Sequence, residues 1–312
     1  MSEVSFVLEG TLSAGQVGGG GSDTLAEALS SSGLESYEND DLTVIRKPIV
    51  KKYGCPNATE IAEKAFYYDT SIEEVDAENV TIVGENAFMG ASNLKKVSFG
   101  NISSIGAGAF MEAGVSENNE IDVVVSATSI PGNIFKNAKA RNVSLTEYTG
   151  EINSGFFRGG TFTNISLPKA TALGNNGLMM TVFREGGSFS APEVTQVSQN
   201  GFGQTTVPFK VTLPKCQEVG QSGFARSDIA ALELGDLRSI GNSAFYATHN
   251  LLDLYLPGSE VPTVTSGAFT DSALLTNENG KIHVPANKLT DYQNDAFFGT
   301  YSTHLVGDLP NV

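Results

Sequence analysis

Few side chains in this chain of 312 residues could carry out chemistry. It has three histidines, His249, His283 and His304, and two cysteines, Cys55 and Cys216. A catalytic nucleophile needs a base within hydrogen-bonding reach. No histidine here has a carboxylate or a cysteine at the spacing of a catalytic or zinc-binding motif. We therefore interpret the three histidines as ordinary surface residues, and we expect no enzyme activity, no cofactor and no metal.

Two other features could be mistaken for ligand sites. The glycine run at 18–21 is followed by Ser22-Asp23 instead of the Lys-Ser/Thr of a phosphate loop, so we interpret it as a flexible linker. The acidic clusters at 38–41 and 73–76 lack the spaced ligands and the glycine of a calcium loop. We interpret both clusters as solvated acidic surface.

Composition and charge exclude several classes of protein. The formal net charge is −16, and 40% of the residues are hydrophobic. That apolar content is sufficient for a folded core. The negative charge argues against nucleic acid or an anionic membrane as the main partner. The sequence contains no run of about 20 apolar residues, so we expect no insertion into a membrane. Residues 1–6 lack the basic and apolar regions of a secretory signal.

A repeated pattern dominates the sequence. Each copy has an aliphatic residue, three variable residues, a small residue and then a large apolar residue, and a short apolar-polar-apolar run follows about ten residues later. That alternation is typical of a strand with one buried face. The large residue recurs every 21–28 residues, at Phe66, Phe88, Phe110, Phe135, Phe157, Leu178, Phe202, Phe224, Phe245, Phe269 and Phe297.

One such unit is too small to bury its own apolar face, so the units must stack on one another. We predict an α/β repeat solenoid, with a parallel β-sheet on one face and short turn or helical returns on the other. The large residues then form a continuous ladder in the interior. Cys55 and Cys216 lie about seven units apart, which at about 4.8 Å per strand is too far for a disulfide. We expect two buried, reduced thiols.

The chain divides by composition into four predicted segments. Residues 1–33 hold a strand pattern, the glycine linker and a short helix, and they either pack on the solenoid or anchor it to an assembly. Residues 34–60 form an N-terminal cap, 61–297 the repeat array of about eleven units, and 298–312 a C-terminal cap, because a solenoid exposes an apolar face at each end. Insertions at 111–122 and 183–189 interrupt the period, and whether they form a second contact edge stays open.

Several units resemble a known family. The segment 94–110 contains a short strand, a bend and Ile105-Gly106-Ala107-Gly108-Ala109-Phe110, and the segment 232–245 ends in Ile240-Gly241-Asn242-Ser243-Ala244-Phe245. These segments resemble the BspA-like (Treponema-type) leucine-rich repeat. The resemblance extends over about residues 55–300 and is broken at 111–134 and 178–196. It implies a bacterial cell-surface or host-contact role.

The strand residues that face solvent form the predicted partner surface. The outward-facing strand residues form two parallel ladders of mostly small polar side chains. In the predicted register of the repeats, Ser98 lies beside Val124 in one ladder and Lys96 lies beside Asp122 in the other. Tyr255 is expected to be a principal contact together with His283, because aromatic groups dominate interface energetics. The candidate partner-binding residues are Lys96, Lys210, Glu233, Asp253, Tyr255 and His283.

The favoured function is non-enzymatic recognition or adhesion, in which the repeat surface contacts a protein or a glycan. A chain that reaches the exterior without an export signal can do so inside a phage particle, as a tail, fibre or baseplate component with residues 1–33 contacting a virion partner. The alternative is a structural virion or assembly subunit without specific recognition. The location is then the virion or the extracellular surface, or the bacterial cell surface if a signal has been removed. The oligomeric state, a homo-oligomer included, stays open.

Overall fold

The structure, a computed structural model, describes residues 36–38, 44–45, 51–114, 119–153 and 155–312. For residues 36–38, 44–45 and 120 it describes the backbone alone. The predicted N-terminal segment 1–33 lies outside the described residues. The chain divides into two compact units, Met1–Leu145 and Thr146–Val312. Each unit is a parallel β-solenoid, as predicted.

Unit Met1–Leu145 contains two sets of parallel strands. Both sets begin with strands of the predicted N-terminal cap, 34–60, which pair in the same parallel manner as the repeats. The longer strands follow in the order β1 (Ser36–Glu38), β3 (Lys52–Gly54), β5 (Glu74–Ala77), β7 (Lys96–Phe99), β9 (Glu120–Val125) and β10 (Lys139–Leu145). The short strands are β2 (Val44–Ile45), β4 (Glu60–Ile61), β6 (Ile82–Val83) and β8 (Ser104–Ile105).

Unit Thr146–Val312 contains three sets of parallel strands. The first is β12 (Thr161–Ser166), β14 (Val182–Ser190), β16 (Thr206–Val207) and β19 (Asp228–Ile229). The second is β17 (Val211–Leu213), β20 (Ala231–Leu234), β22 (Asp253–Tyr255), β24 (Lys281–Pro285) and β25 (Leu305–Leu309). The third is β11 (Glu151–Ile152), β13 (Ala172–Leu173), β15 (Gln196–Val197), β18 (Glu218–Val219), β21 (Ser239–Ile240) and β23 (Thr263–Val264).

Helical structure is short and lies near the C-terminus of the described chain. The helices are α1 (Ala273–Thr276), α2 (Leu289–Asn294) and the 3₁₀ helices η1 (Ala286–Lys288) and η2 (Phe298–His304). No helix among the described residues is long and apolar enough to span a bilayer. The predicted C-terminal cap, 298–312, consists of η2, which buries Phe298, and β25, the last strand of its sheet.

The predicted ladder of large residues is present in each unit. In the first unit, Phe66, Phe88, Phe110 and Phe135 stack with centroid separations of 4.9, 5.1 and 5.4 Å. The second unit repeats the arrangement, with separations of 5.2, 5.5, 4.7 and 5.6 Å along Phe202, Phe224, Phe245, Phe269 and Phe297. We call these residues the phenylalanine spine. Burial of these rings adds to the apolar stabilisation that stacking of the turns provides, together with the buried aliphatic side chains.

The backbone of the returns explains why a small residue precedes each spine residue. The amide of Phe66 donates to the carbonyl of Ala87 at 2.7 Å, and Phe202 donates in the same way to Gly223 at 2.7 Å. The small residue therefore sits directly against the next turn. A Cβ on Gly177 would lie 2.1 Å from the Ile152 carbonyl oxygen. The returns are thus hydrogen-bonded ladders, as the strands are.

Both predicted thiols are buried. Cys55 and Cys216 each have no exposed surface. Burial raises the pKa of the Cys216 thiol to about 12, because the apolar surroundings disfavour the thiolate. Both cysteines are therefore reduced thiols that belong to the buried core.

The insertion at 183–189 is a bulge within a strand, not a separate loop. Phe162 pairs with Phe183, but Asn164 pairs with Ser188, so β14 accommodates three more residues than β12 over this stretch. Gly186 lies at the tip with a φ of 72° and open space beside it. Of the other predicted insertion, 111–122, residues 115–118 lie outside the described chain.

The predicted register of the outward ladders is wrong at one junction. Lys96 pairs with Glu120, not Asp122, and Val97 pairs with Ile121. The offset between paired residues of β7 and β9 is therefore 24 residues, whereas the predicted register has an offset of 26. Because the shift is an even number, Asp122 and Val124 keep their outward orientation, but each lies two residues further along than predicted.

Candidate binding surface

Five of the six predicted partner-binding residues lie together on one sheet. Glu233 pairs with Tyr255 and Tyr255 with His283, on the adjacent strands β20, β22 and β24. Asp253 lies two residues before Tyr255, and Lys210 immediately precedes β17. Side chains at these positions face solvent because their strand neighbours, such as Leu232, Leu254 and Ile282, are buried.

Tyr255 is the centre of this group. Its ring stacks on the His283 ring with centroids 4.3 Å apart and an angle of 9°. The ammonium of Lys210 lies 3.7 Å from the Tyr255 ring centroid and 2.7 Å from the Glu233 carboxylate. Since β17 and β24 flank β22 on opposite sides, the two faces of the tyrosine ring are both covered. A partner can therefore reach the edge and the hydroxyl of Tyr255, but not its faces.

His283 is held by two carboxylates from different strands. Its Nε2 lies 3.0 Å from Asp253, and its Nδ1 lies 2.9 Å from Asp308 on β25. The ring can donate to both carboxylates only when each nitrogen carries a proton. The His283 side chain is 12% exposed, so its interpretation as an ordinary surface residue was wrong. Strand pairing covers it with Tyr255 on one side and the last strand on the other.

The other two histidines differ from each other in their surroundings. His249 is 69% exposed and 3.1 Å from Asp271, which fits the predicted surface role. His304 is partly buried, with Nδ1 at 2.8 Å from the carbonyl oxygen of Gly280. Among the described residues, no group of three or more His, Cys, Asp or Glu side chains is arranged to hold a metal ion.

We call Lys210, Glu233, Asp253, Tyr255, His283 and Asp308 the Tyr255 cluster. Asp308 was not predicted as a member, because it lies in the segment interpreted as a cap. The carboxylates of Asp253 and Asp308 are 40% and 48% exposed, and the Lys210 side chain is 40% exposed. The cluster is therefore an ordered polar surface with accessible charges of both signs.

Lys96 lies in the other unit, on β7. Its backbone pairs with Glu74 on one side and Glu120 on the other, and its side chain is exposed. On the neighbouring strand pair, Lys52 lies 3.0 Å from Glu74. Cations and anions thus alternate from strand to strand along this ladder, an arrangement that avoids like charges directly opposite each other.

A sequence model of the family described as "BspA type Leucine rich repeat region" matches this chain in six copies, over residues 59–180 and 187–304. The chain belongs to this family. The matched ranges extend from β4 to β24 and leave out residues 181–186, which include the first part of β14, and the two ends. They contain every residue of the Tyr255 cluster except Asp308. Family membership is consistent with a role in recognition or adhesion.

Two solved structures are similar to this leucine-rich repeat chain. One is the pneumococcal vaccine antigen PcpA, with 14% identity and a TM-score of 0.37 over 89% of this chain and 82% of that chain. The other is a leucine-rich cell surface protein from Faecalibacterium prausnitzii A2-165, with 16% identity and a TM-score of 0.30 over 76% of this chain and 87% of that chain. No curated protein matches the sequence.

Proposed function

We propose that this leucine-rich repeat protein is a non-enzymatic recognition or adhesion module that binds a protein or glycan partner through the Tyr255 cluster. The observation that carries the proposal is the ordered contact of Lys210 with both Glu233 and the Tyr255 ring on a solvent-facing sheet. Binding at such a surface immobilises few side chains, so little of the interaction energy is spent on ordering.

The cluster also offers the polar groups that recognition requires. The Tyr255 edge is flanked by the accessible carboxylates of Asp253 and Asp308 on one side and by the Lys210 ammonium on the other. Tyrosine is one of the residue types enriched among those that contribute most to known interfaces. A partner with complementary donors and one acceptor therefore fits this surface better than a highly charged polymer of one sign.

Attachment of the labelled protein to bacterial cells and to host epithelial cells tests the proposal. Tyr255→Ala is expected to weaken attachment about 30-fold or more, the usual effect of removing an interface hot spot. Ser166→Ala, a change at an outward strand position outside the cluster, is the matched control. Circular dichroism must show that both variants fold. Equal attachment by the folded Tyr255→Ala variant and the parent protein would rule out this surface.

The location of the protein is part of the proposal. The family resemblance supports the bacterial cell surface, and the phage-tail version depends on residues 1–33, which lie outside the described residues. Sedimentation separates the two: a tail, fibre or baseplate component, or a structural virion subunit, is expected to pellet with phage particles. A structural subunit is also expected to be indifferent to Tyr255→Ala. Recovery with the bacterial envelope supports the surface location.

A further inference from the structure

A depression opens on the strand face of unit Met1–Leu145, a unit that contains no residue of the Tyr255 cluster. It forms where the pairing of β7 and β9 stops. Val97 pairs with Ile121, but the next contact between these chain segments is the isolated bridge from Ile102 to Val125. The intervening residues bulge away from β9 and leave a space of about 370 Å³. The depression is shallow and open to solvent, so it can contact one face of a small ligand but cannot enclose it.

The lining of this space combines apolar and hydrogen-bonding groups. Val124 is 43% exposed, an apolar side chain at an outward position between the polar residues Asp122 and Ser144. Phe99 also lines the space and is partly exposed, and its ring packs on the Phe88 ring with centroids 5.8 Å apart. The remaining lining side chains include a hydroxyl, an amide and a carboxylate, from Ser98, Asn101 and Asp122.

The carboxylate of Asp122 is fixed and its charge is balanced within the wall. Arg141 donates Nε to Oδ1 at 2.9 Å and Nη2 to Oδ2 at 2.5 Å, and Asn142 donates to Oδ1 at 2.7 Å. A bidentate arginine holds the plane of the carboxylate in one orientation. The depression therefore presents an oriented acceptor without a net negative charge, which favours an uncharged ligand over a cation.

We infer that this depression, the Val124 depression, binds one ring of a neutral hexose at the end of a glycan. A sugar ring has an apolar C–H face for Val124 and Phe99, and hydroxyl groups for Ser98, Asn101 and Asp122. An apolar side chain of a protein partner would cover the same three polar groups without giving them hydrogen bonds, and this carries a desolvation cost. The lining chemistry thus favours the sugar.

An array of neutral oligosaccharides ending in glucose, galactose, mannose or N-acetylglucosamine, together with saturation-transfer NMR on the free monosaccharides, tests the inference. The full-length protein is expected to bind at least one class, with a millimolar dissociation constant for the monosaccharide. Val124→Ser, which removes the apolar contact and keeps the space, is expected to weaken binding about tenfold. Val124→Trp, which fills the space, is expected to abolish it. Both changes are at an exposed side chain, so folding is retained.

Ser166→Ala, a change at an outward strand position outside both the Tyr255 cluster and the Val124 depression, is the matched control. Glycan binding that survives Ser166→Ala but is lost in Val124→Trp supports the inference, whatever the outcome for attachment of Tyr255→Ala to cells. Absence of binding to every neutral sugar in both assays would overturn it. So would glycan binding that is unchanged in Val124→Trp, or preferential binding of apolar peptides at this position.

Discussion

At the scale of single residues, the most regular feature of the described chain is a pair of left-handed backbone positions around the large apolar residue of a return. In ten described returns, the residues two before and two after the large apolar residue have positive φ. The first set is Lys64, Asn86, Gly108, Asn133, Gly155, Asn176, Asn200, Ser222, Ser243 and Gly267. The second set is Tyr68, Gly90, Glu112, Asn137, Gly159, Met180, Gln204, Arg226, Ala247 and Asp271.

These positions were not predicted, although the first set carries a signal. Asn and Gly, which tolerate positive φ, occupy seven of its ten positions. The second set includes residues as unsuitable as Met180 and Tyr68. There, hydrogen bonds to the next turn, such as the Met180 amide to the Gly203 carbonyl at 2.9 Å, impose the conformation against local preference. Propensity alone cannot reveal a conformation that stacking imposes.

Replacing a strained residue by glycine is therefore expected to stabilise the protein. Met180→Gly relieves a φ of 62° at a side chain that is 45% exposed. We expect the free energy of unfolding to rise by about 0.5–1 kcal/mol. This is the cost of holding a residue with a side chain at positive φ, reduced by the larger conformational entropy that glycine loses on folding. Urea denaturation measures the change. Met179→Gly, at an adjacent position without positive φ, is expected to destabilise, and the same sign for both variants would contradict the argument.

At the scale of elements, charge alternates between neighbouring turns. Lys51, Glu73 and Lys95 follow one another at intervals of 22 residues, with Glu73 at 3.9 Å and 2.6 Å from the two ammonium groups. The hydrogen bond from Lys95 and its positive charge lower the pKa of Glu73 below 4.5. The same alternation joins Glu147 to Lys169 and Glu193 to Lys215 in the other unit. The repeat period thus sets the pattern of surface charge.

This ladder predicts a pH dependence of known sign. Because the folded pKa of Glu73 is lowered, its contribution to stability is present above its ordinary pKa and is lost as the pH falls through the folded value. Glu73→Gln is expected to be less stable than the parent at pH 7, and the difference is expected to shrink at pH 3 and in 1 M salt. Urea denaturation at both pH values measures it. Glu78→Gln, at an exposed carboxylate, is the control, and a difference independent of pH would contradict the assignment.

The elements also show where prediction from the sequence succeeds and where it stops. The spine and the strand alternation were predictable, because a constant period reports the same burial in every turn. The contact of His283 with Asp308 was not, since it depends on β25 pairing with β24 and on a register shift after Val284. The Val124 depression was likewise hidden, because the pairing of β7 with β9 depends on segment lengths that no periodic pattern encodes.

At the scale of the whole molecule, stability depends on contacts between neighbouring turns, as in other repeat proteins. Within each unit, neighbouring turns contact each other through large apolar residues, strand pairings and the hydrogen bonds of the returns. A defect in one turn is therefore expected to open the adjacent core locally, at a free energy below that of global unfolding. The two buried cysteines, one in each unit, are suitable reporters of such opening.

Thiol labelling of single-cysteine variants measures this opening. In a Cys55→Ala background, Cys216 has no exposed surface and a pKa raised to about 12 by burial, so native labelling at pH 8 is expected to be very slow. Phe224→Ala removes the spine ring of the same turn and costs about 3–5 kcal/mol. If reclosing is faster than labelling, the rate follows the open population and rises roughly 100-fold or more. Ser166→Ala is the control; an unchanged labelling rate in Phe224→Ala would mean that the spine does not hold this turn closed.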